Sequence, residues 1–441
     1  MTGRIFVVGW LLFLIPNRGL GEEVKFRLAG DWEVHVSRMT ETGQERSTKL
    51  FVDRSQAVDV RNERHPSLPL YNARTAVWLK GIRLEKIRAQ EVTTPYLLEP
   101  ASVTLRSGSG PDSATFLRER DFELDDDWGT VGRLPEGRIE EGQPVFISYR
   151  YVPLRLDSIV LSQEGDIELR RGIPRAAAPH PPAIVQGERR LANIWLPGRI
   201  GKLAPEHLFP VLERSYPEPP KPSPTVAEQL LPRTLEKLSS GEELRILAWG
   251  DSVTDGSYVS EHERWQVQFV AGLKKRYTNA NIMLVTEAWG GRNTSRYLAE
   301  PPGSEHNFRE KVLGAKPDLV VSEFVNDAGL NPQQVEQLYA GVLSDFRAIN
   351  AEWIILTPHY VRPDWMGLTG EREVDVDPRP YTIGLRQFSQ KHRVALADAS
   401  LRYGRLWRQG IPYSTLMLNS INHPDARGMA IFADALMQLF P

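Results

Sequence analysis

Between residue 241 and the carboxyl terminus, five apolar runs of strand length, 245–249, 282–286, 319–325, 353–357 and 394–397, alternate with amphipathic stretches. Trp265, Phe269, Val270 and Leu273 fall on one helical face. A longer helix is predicted to open at Asn331-Pro332, a side-chain cap followed by proline in the first turn. It places Val335, Leu338, Tyr339, Val342, Leu343, Phe346 and Ile349 on a single stripe. Strands separated by helices cannot pair as hairpins. They form a parallel sheet with helices on both faces, and functional groups sit on the loops after the strands.

Those loops carry an ordered set of reactive residues. The first run stops at Gly250-Asp251-Ser252, which presents a serine hydroxyl at the sheet edge. Thr254 stands where the lipase elbow G-x-S-x-G would need its second glycine. After the second run comes Trp289-Gly290-Gly291-Arg292-Asn293-Thr294, whose glycines let backbone N–H groups approach a ligand closely. After the third comes Glu323-Phe324-Val325-Asn326-Asp327, which brings an amide side chain to the same edge. Near the end, Asn419-Ser420-Ile421-Asn422-His423-Pro424 precedes an apolar helix over 426–439. Acyl transfer needs a nucleophile, a base and donors aimed at a developing oxyanion. Each residue alone has an ordinary explanation as a turn, a loop amide or a helix start. Their joint order on successive loops does not.

That order resembles the sequence blocks of the SGNH (GDSL-type) hydrolases, over residues 243–441. The resemblance implies a flavodoxin-like three-layer α/β/α fold with a five-stranded parallel sheet. It also implies Ser252 as nucleophile, His423 as general base, and the Ser252 N–H, the Gly291 N–H and the Asn326 side chain as oxyanion donors. Asp251 would shape the nucleophile turn. The segments 288–292 and 355–359 are similar to the carbohydrate acetylesterase branch of the family. Two positions depart from its pattern. Phe324 stands where members carry glycine, an expected constriction of the acyl pocket or displacement of the Asn326 loop. Ser420 stands where the acid normally lies, three residues before the histidine, so a Ser–His dyad is expected, with the imidazole held by a backbone carbonyl or by Asn419. Asp425, at the start of the last helix, is the weaker candidate.

The rest of the chain is read more coarsely. Residues 22–213 hold short β-branched or aromatic runs between turn signals, a β-rich accessory region of one or two sandwich-like modules. In it, 154–157 alternates like a half-buried strand that Ser158 interrupts. Asp125-Asp126-Asp127 reads as a hairpin tip, and Trp78, Trp128 and Trp195 as packing residues rather than a sugar platform. A proline-rich stretch over 214–240 reads as a linker to the hydrolase domain at 241–441. At the amino terminus, Arg4, the apolar run 5–16 and Gly19-Leu20-Gly21 have the form of a signal peptide over 1–21, which implies a secreted or periplasmic protein. The run is too short for a stable membrane span, which needs about 20 apolar residues.

A formal charge of −2 gives no electrostatic case for nucleic acid, and the absence of cysteine excludes thiol catalysis and thiolate metal sites. His262-Glu263 lacks the second histidine of a zinc helix, so neither metal nor cofactor is expected. Asn293-Thr294-Ser295 matches a glycosylation sequon inside the glycine loop. His359 faces substrate or caps the loop after the fourth strand. The expected activity is hydrolysis of short acyl esters, O-acetyl above all, on carbohydrate. A lipase or thioesterase of the same fold, or a non-catalytic glycan- or envelope-binding protein on a decayed hydrolase domain, remain open. No oligomeric state is implied.

Overall fold

In the computed structural model, residues 24–40 and 43–441 are described, so the expected signal segment lies outside them. The chain divides into two compact units. One runs to Arg214 and takes in Arg408–Ile411, and the other comprises Ser215–Trp407 and Pro412–Pro441.

The second unit holds the parallel sheet. Its strands, β1 (Glu243–Gly250), β2 (Asn281–Ala288), β3 (Leu319–Glu323), β4 (Glu352–Leu356) and β5 (Ala395–Ala397), lie in the order β2-β1-β3-β4-β5. The chain steps from β1 to one side and then crosses to the other, which opens a crevice at the carboxyl ends of β1 and β3. Gly250 pairs with both Ala288 and Glu323, so the three strands end level and their following loops start together. Every residue of β3 and β4 is buried, the pattern of a sheet covered on both faces. Helix α1 (Trp265–Arg276) packs with the last helix, and α3 (Pro332–Ala348) with α4 (Pro380–His392); α2 (Thr294–Ala299) is short and α5 (Ala426–Met437) closes the chain.

The α3 stripe lands as its spacing requires. Asn331 accepts from Gln334 N–H at 2.9 Å at its start. Val335, Tyr339, Val342, Leu343 and Phe346 are then buried in one core with Trp249, Trp353 and Phe388. Each such side chain contributes about 1.5–3 kcal/mol on burial.

The first unit is antiparallel β structure. A three-stranded sheet (Val24–Gly30, Glu33–Met39, Glu45–Phe51) shares a core with the sheet of Arg155–Leu161, Ile167–Arg170, Arg189–Leu196 and Leu208–Pro210. Ser158 does not interrupt its strand. Arg155–Leu161 is continuous and almost wholly buried, because Arg155 pairs with Asp157 at 2.8 Å and Ser158 with Asn193 at 2.6 Å inside it. Asp125 pairs with Lys80 and Asp126 with Arg118, so two of the three acids of the tip are neutralised by side chains. Trp78 packs on Trp128 at 5.4 Å.

The stretch expected as a linker contains two helices, Val226–Leu230 and Pro232–Ser240, with Ala227, Leu231 and Leu238 buried. Pro232 sits in the first turn of its helix, where proline's missing N–H costs nothing. Among the described residues, no helix is long and apolar enough to cross a membrane.

Candidate active site

β1 ends at Gly250 because no side chain fits there. A Cβ would stand 2.1 Å from Thr254 Oγ1 and 2.3 Å from the Glu323 carbonyl oxygen. The chain turns through Asp251 into the one-turn helix Ser252–Asp255. The Asp251 carboxylate, fully buried, accepts from the N–H of Val253 at 3.0 Å and of Asn326 at 2.9 Å. One side chain thereby ties the Ser252 turn to the loop after β3. Burial raises the Asp251 carboxyl, against the pull of those N–H groups. Glu323, also fully buried, is raised by burial and by the Asp251 charge. Two carboxyls that disfavour each other's ionisation in a dry site retain a proton well above the ordinary carboxylate range.

Ser252 Oγ lies 3.1 Å from His423 Nε2, within the reach of a nucleophile and its base. Asn419 builds the loop that delivers the histidine. Its buried side-chain oxygen accepts from the N–H groups of Ile421, Asn422 and His423 at 3.0, 2.8 and 2.9 Å. Asn419 therefore fixes the His423 backbone. Ser420 occupies the left-handed region, at φ 57°, where the loop reverses. Asp425 caps α5, accepting from the N–H of Arg427 and Gly428 and pairing with the Arg427 guanidinium at 2.7 Å.

Tyr258 joins the site without any motif of its own. Its ring lies flat on the His423 imidazole, with centroids 4.3 Å apart and planes inclined by 3°. An imidazolium formed there meets an aromatic face, an attraction of about 0.5–2 kcal/mol for a cation over a ring. Gly256-Ser257-Tyr258 carries no motif, so no sequence signal announces this contact.

The other loops close around the serine. A Cβ on Gly290 would stand 3.7 Å from Ser252 Cβ, so the loop after β2 runs beside the hydroxyl. Gly291, at φ 70°, makes the turn that Arg292 N–H closes on the Trp289 carbonyl at 3.2 Å. The Asn326 Nδ2 is buried without a hydrogen-bond partner. Leaving such a group unpaired costs about 1–3 kcal/mol; this donor stays open on the loop that Asp251 ties to the Ser252 turn. Asp327, next in the chain, accepts from Thr294 Oγ1 at 2.6 Å and from the Tyr339 hydroxyl at 3.1 Å. Burial pushes it up to about 6 against those bonds. It locks the Asn326 loop to the start of α2, where Asn293 serves as the cap.

Phe324 does not constrict the acyl side. It is buried edge-on to Trp249 at 4.8 Å and to Tyr297 at 5.9 Å, inside the core. Trp289 is half-buried between His306, stacked at 4.6 Å, and the Arg292 guanidinium at 5.0 Å. His359 does not face the cleft. It is fully buried against Tyr403 and Phe432, and burial together with Arg379 pushes it down to about 3. Among the described residues, no three His, Asp or Glu side chains gather where they could hold a metal ion.

A serine and a histidine in contact at the carboxyl edge of a doubly wound parallel sheet is the arrangement of α/β serine hydrolases. A profile of the GDSL-like lipase/acylhydrolase family matches residues 248–431, and the chain contains a GDSL/SGNH-type lipase/esterase domain. That membership supports hydrolase activity. No curated protein sequence matches the chain.

Similar solved structures include a two-domain esterase active on acetylated mannans, co-crystallised with mannopentaose, at 17% identity and TM-score 0.37. The match covers 46% of this chain and 51% of that one, about half its length. An acetyl xylan esterase, AlAXEase, is 20% identical with TM-score 0.35, over 44% of this chain and 97% of that one. The psychrotrophic esterase EstA from Pseudoalteromonas sp. is 19% identical with TM-score 0.32, over 44% and 95% respectively.

Proposed function

We propose that this protein is an exported serine esterase that removes short acyl groups, O-acetyl above all, from carbohydrate. The observation that carries the reading is the 3.1 Å contact between Ser252 Oγ and His423 Nε2. Ser252 Oγ attacks the ester carbonyl carbon while its proton passes to His423 Nε2. The oxyanion is met by the Asn326 Nδ2 and by the backbone N–H groups of Ser252 and Gly291. The intermediate collapses, and the sugar oxygen leaves with the proton from His423. Water then attacks the acyl-enzyme as His423 takes its proton, and the acid is released as His423 returns that proton to Ser252 Oγ. Asp251 and Asn419 act as supports, the first through the Asn326 loop and the second through the His423 backbone. Export rests on the signal-like segment 1–21, and the β-rich unit serves as an accessory region.

The oxyanion assignment predicts that Asn326→Ala lowers kcat by about 10²–10³ with little change in KM, because the bond tightens only in the transition state. Steady-state kinetics on one acetyl ester decide it. A variant that loses affinity alone places Asn326 in ground-state binding.

A panel of nitrophenyl acetate, butyrate and octanoate, together with acetylated mannan and xylan, tests the substrate class. The expected order is acetate above octanoate, with acetate released from at least one polysaccharide. Trp289, clamped between two neighbours next to the Gly290–Ser252 contact, supports a restricted site. Higher kcat/KM on octanoate would place the protein with the lipases, and no turnover of any ester would leave a binding protein.

A further inference from the structure

The β-rich unit contains a cavity of about 400 Å³, the size of a small-ligand pocket. Trp32, half-buried, forms part of its wall, and the Arg54 guanidinium lies over the indole at 5.2 Å. A second arginine of the lining, Arg199, is anchored through Nε, which donates to the Tyr96 carbonyl at 3.1 Å. Both guanidinium groups are therefore placed by contacts that leave their charge uncompensated. Among the described residues, neither has a carboxylate within ion-pair distance. The lining's acid, Glu99, is held by Arg150 at 2.9 Å. The wall beside Arg199 is fixed by close packing. Gly198 adopts φ 90°, and a Cβ there would stand 2.8 Å from Leu97 Cδ2 and 2.9 Å from the Tyr96 carbonyl oxygen.

We propose that this cavity binds a carboxylate-bearing sugar residue, a uronic acid unit of an acidic glycan. An indole wall suits the C–H faces of a sugar ring, and a planar guanidinium matches a carboxylate with two parallel hydrogen bonds. A neutral glycan would leave both guanidinium groups without a counter-charge. An acidic peptide would pair with the arginines but has no sugar ring to set against the indole. The site is distinct from the ester-cleaving residues and stands whether or not Ser252 is a nucleophile.

Affinity electrophoresis of the full chain tests it, in gels containing de-esterified polygalacturonate, neutral galactan or polyglutamate. None of these carries an ester, so turnover does not enter the readout. Polygalacturonate alone should retard the protein. Arg54→Gln and Arg199→Gln, both exposed positions that tolerate substitution, should each weaken that retardation about tenfold, the scale of a charged hydrogen bond. Trp32→Ala should weaken it as well. Equal retardation by polyglutamate would reduce the site to general polyanion attraction, and equal retardation by galactan would make it a neutral-sugar site. Either outcome overturns the proposal, as does the absence of retardation or binding that both arginine variants leave intact.

Discussion

Ser252→Ala is expected to lower the turnover of acetyl esters by about 10⁵–10⁶, the scale of deleting the nucleophile from a serine hydrolase. The substitution removes one oxygen and leaves the Cβ in place. The fold should therefore survive it, because the turn is held by neighbours and not by the hydroxyl. Asp251 still accepts from Val253 and Asn326, and Gly250 still closes on Glu323. Thermal unfolding should shift by no more than a surface substitution does, about 0.5 kcal/mol. Residual catalysis of about 10³–10⁴ over water would remain from the oxyanion donors and substrate binding. A fluorophosphonate probe, which needs an activated serine, should label the wild type and not the variant. Activity of the variant within tenfold of wild type would move the nucleophile elsewhere and end the proposed mechanism.

The α/β half was legible because a covered parallel sheet writes itself as uninterrupted apolar runs. β4 shows this, with all five residues buried. The end of β3 was misjudged. The apolar run continues to Val325, but the strand stops at Glu323 as Phe324 turns into the Trp249 core. In the β-rich half the same reasoning failed for a physical reason. Arg155, Asp157, Ser158 and Asn193 look like solvent-facing residues, yet they satisfy one another inside a core. Ser158 finds its partner Asn193 on another strand, which leaves no local trace, and the Arg155–Asp157 pair sits on one strand where alternation reads it as solvent-facing. The candidate site divides in the same way. Gly250-Asp251-Ser252, Gly291, Asn326 and His423 belong to contiguous motifs and could be found one loop at a time. The Tyr258 stack and the buried Asp251–Glu323 pair arise only when separate loops converge.

His423→Ala should cost about as much as losing the serine, since nucleophile and base act as a unit. Activity in the wild type should rise with pH, because the base must be neutral to accept the proton, and the alanine variant should lack that limb. The same loop then separates charge from scaffolding. Serine and alanine both carry a Cβ, so Ser420→Ala keeps the backbone strain of φ 57° and reports the hydroxyl alone. A neutral hydrogen bond sets its scale, so the loss should stay below about tenfold. Asn419→Ala is a different injury. It removes the acceptor of three N–H groups, of which the buried Ile421 N–H alone costs about 1–3 kcal/mol when left unpaired, and releases the backbone that aims the imidazole. A shift of about 1 Å at a reacting group costs about 10² in rate, so Asn419→Ala should fall by that much and lose stability. Asn419→Asp keeps the accepting oxygen and should retain more of both. Measuring kcat and thermal stability for the four variants on one acetyl ester ranks them. If Ser420→Ala were as damaging as His423→Ala while Asn419→Ala were mild, the base would depend on the Ser420 hydroxyl and not on the Asn419 scaffold.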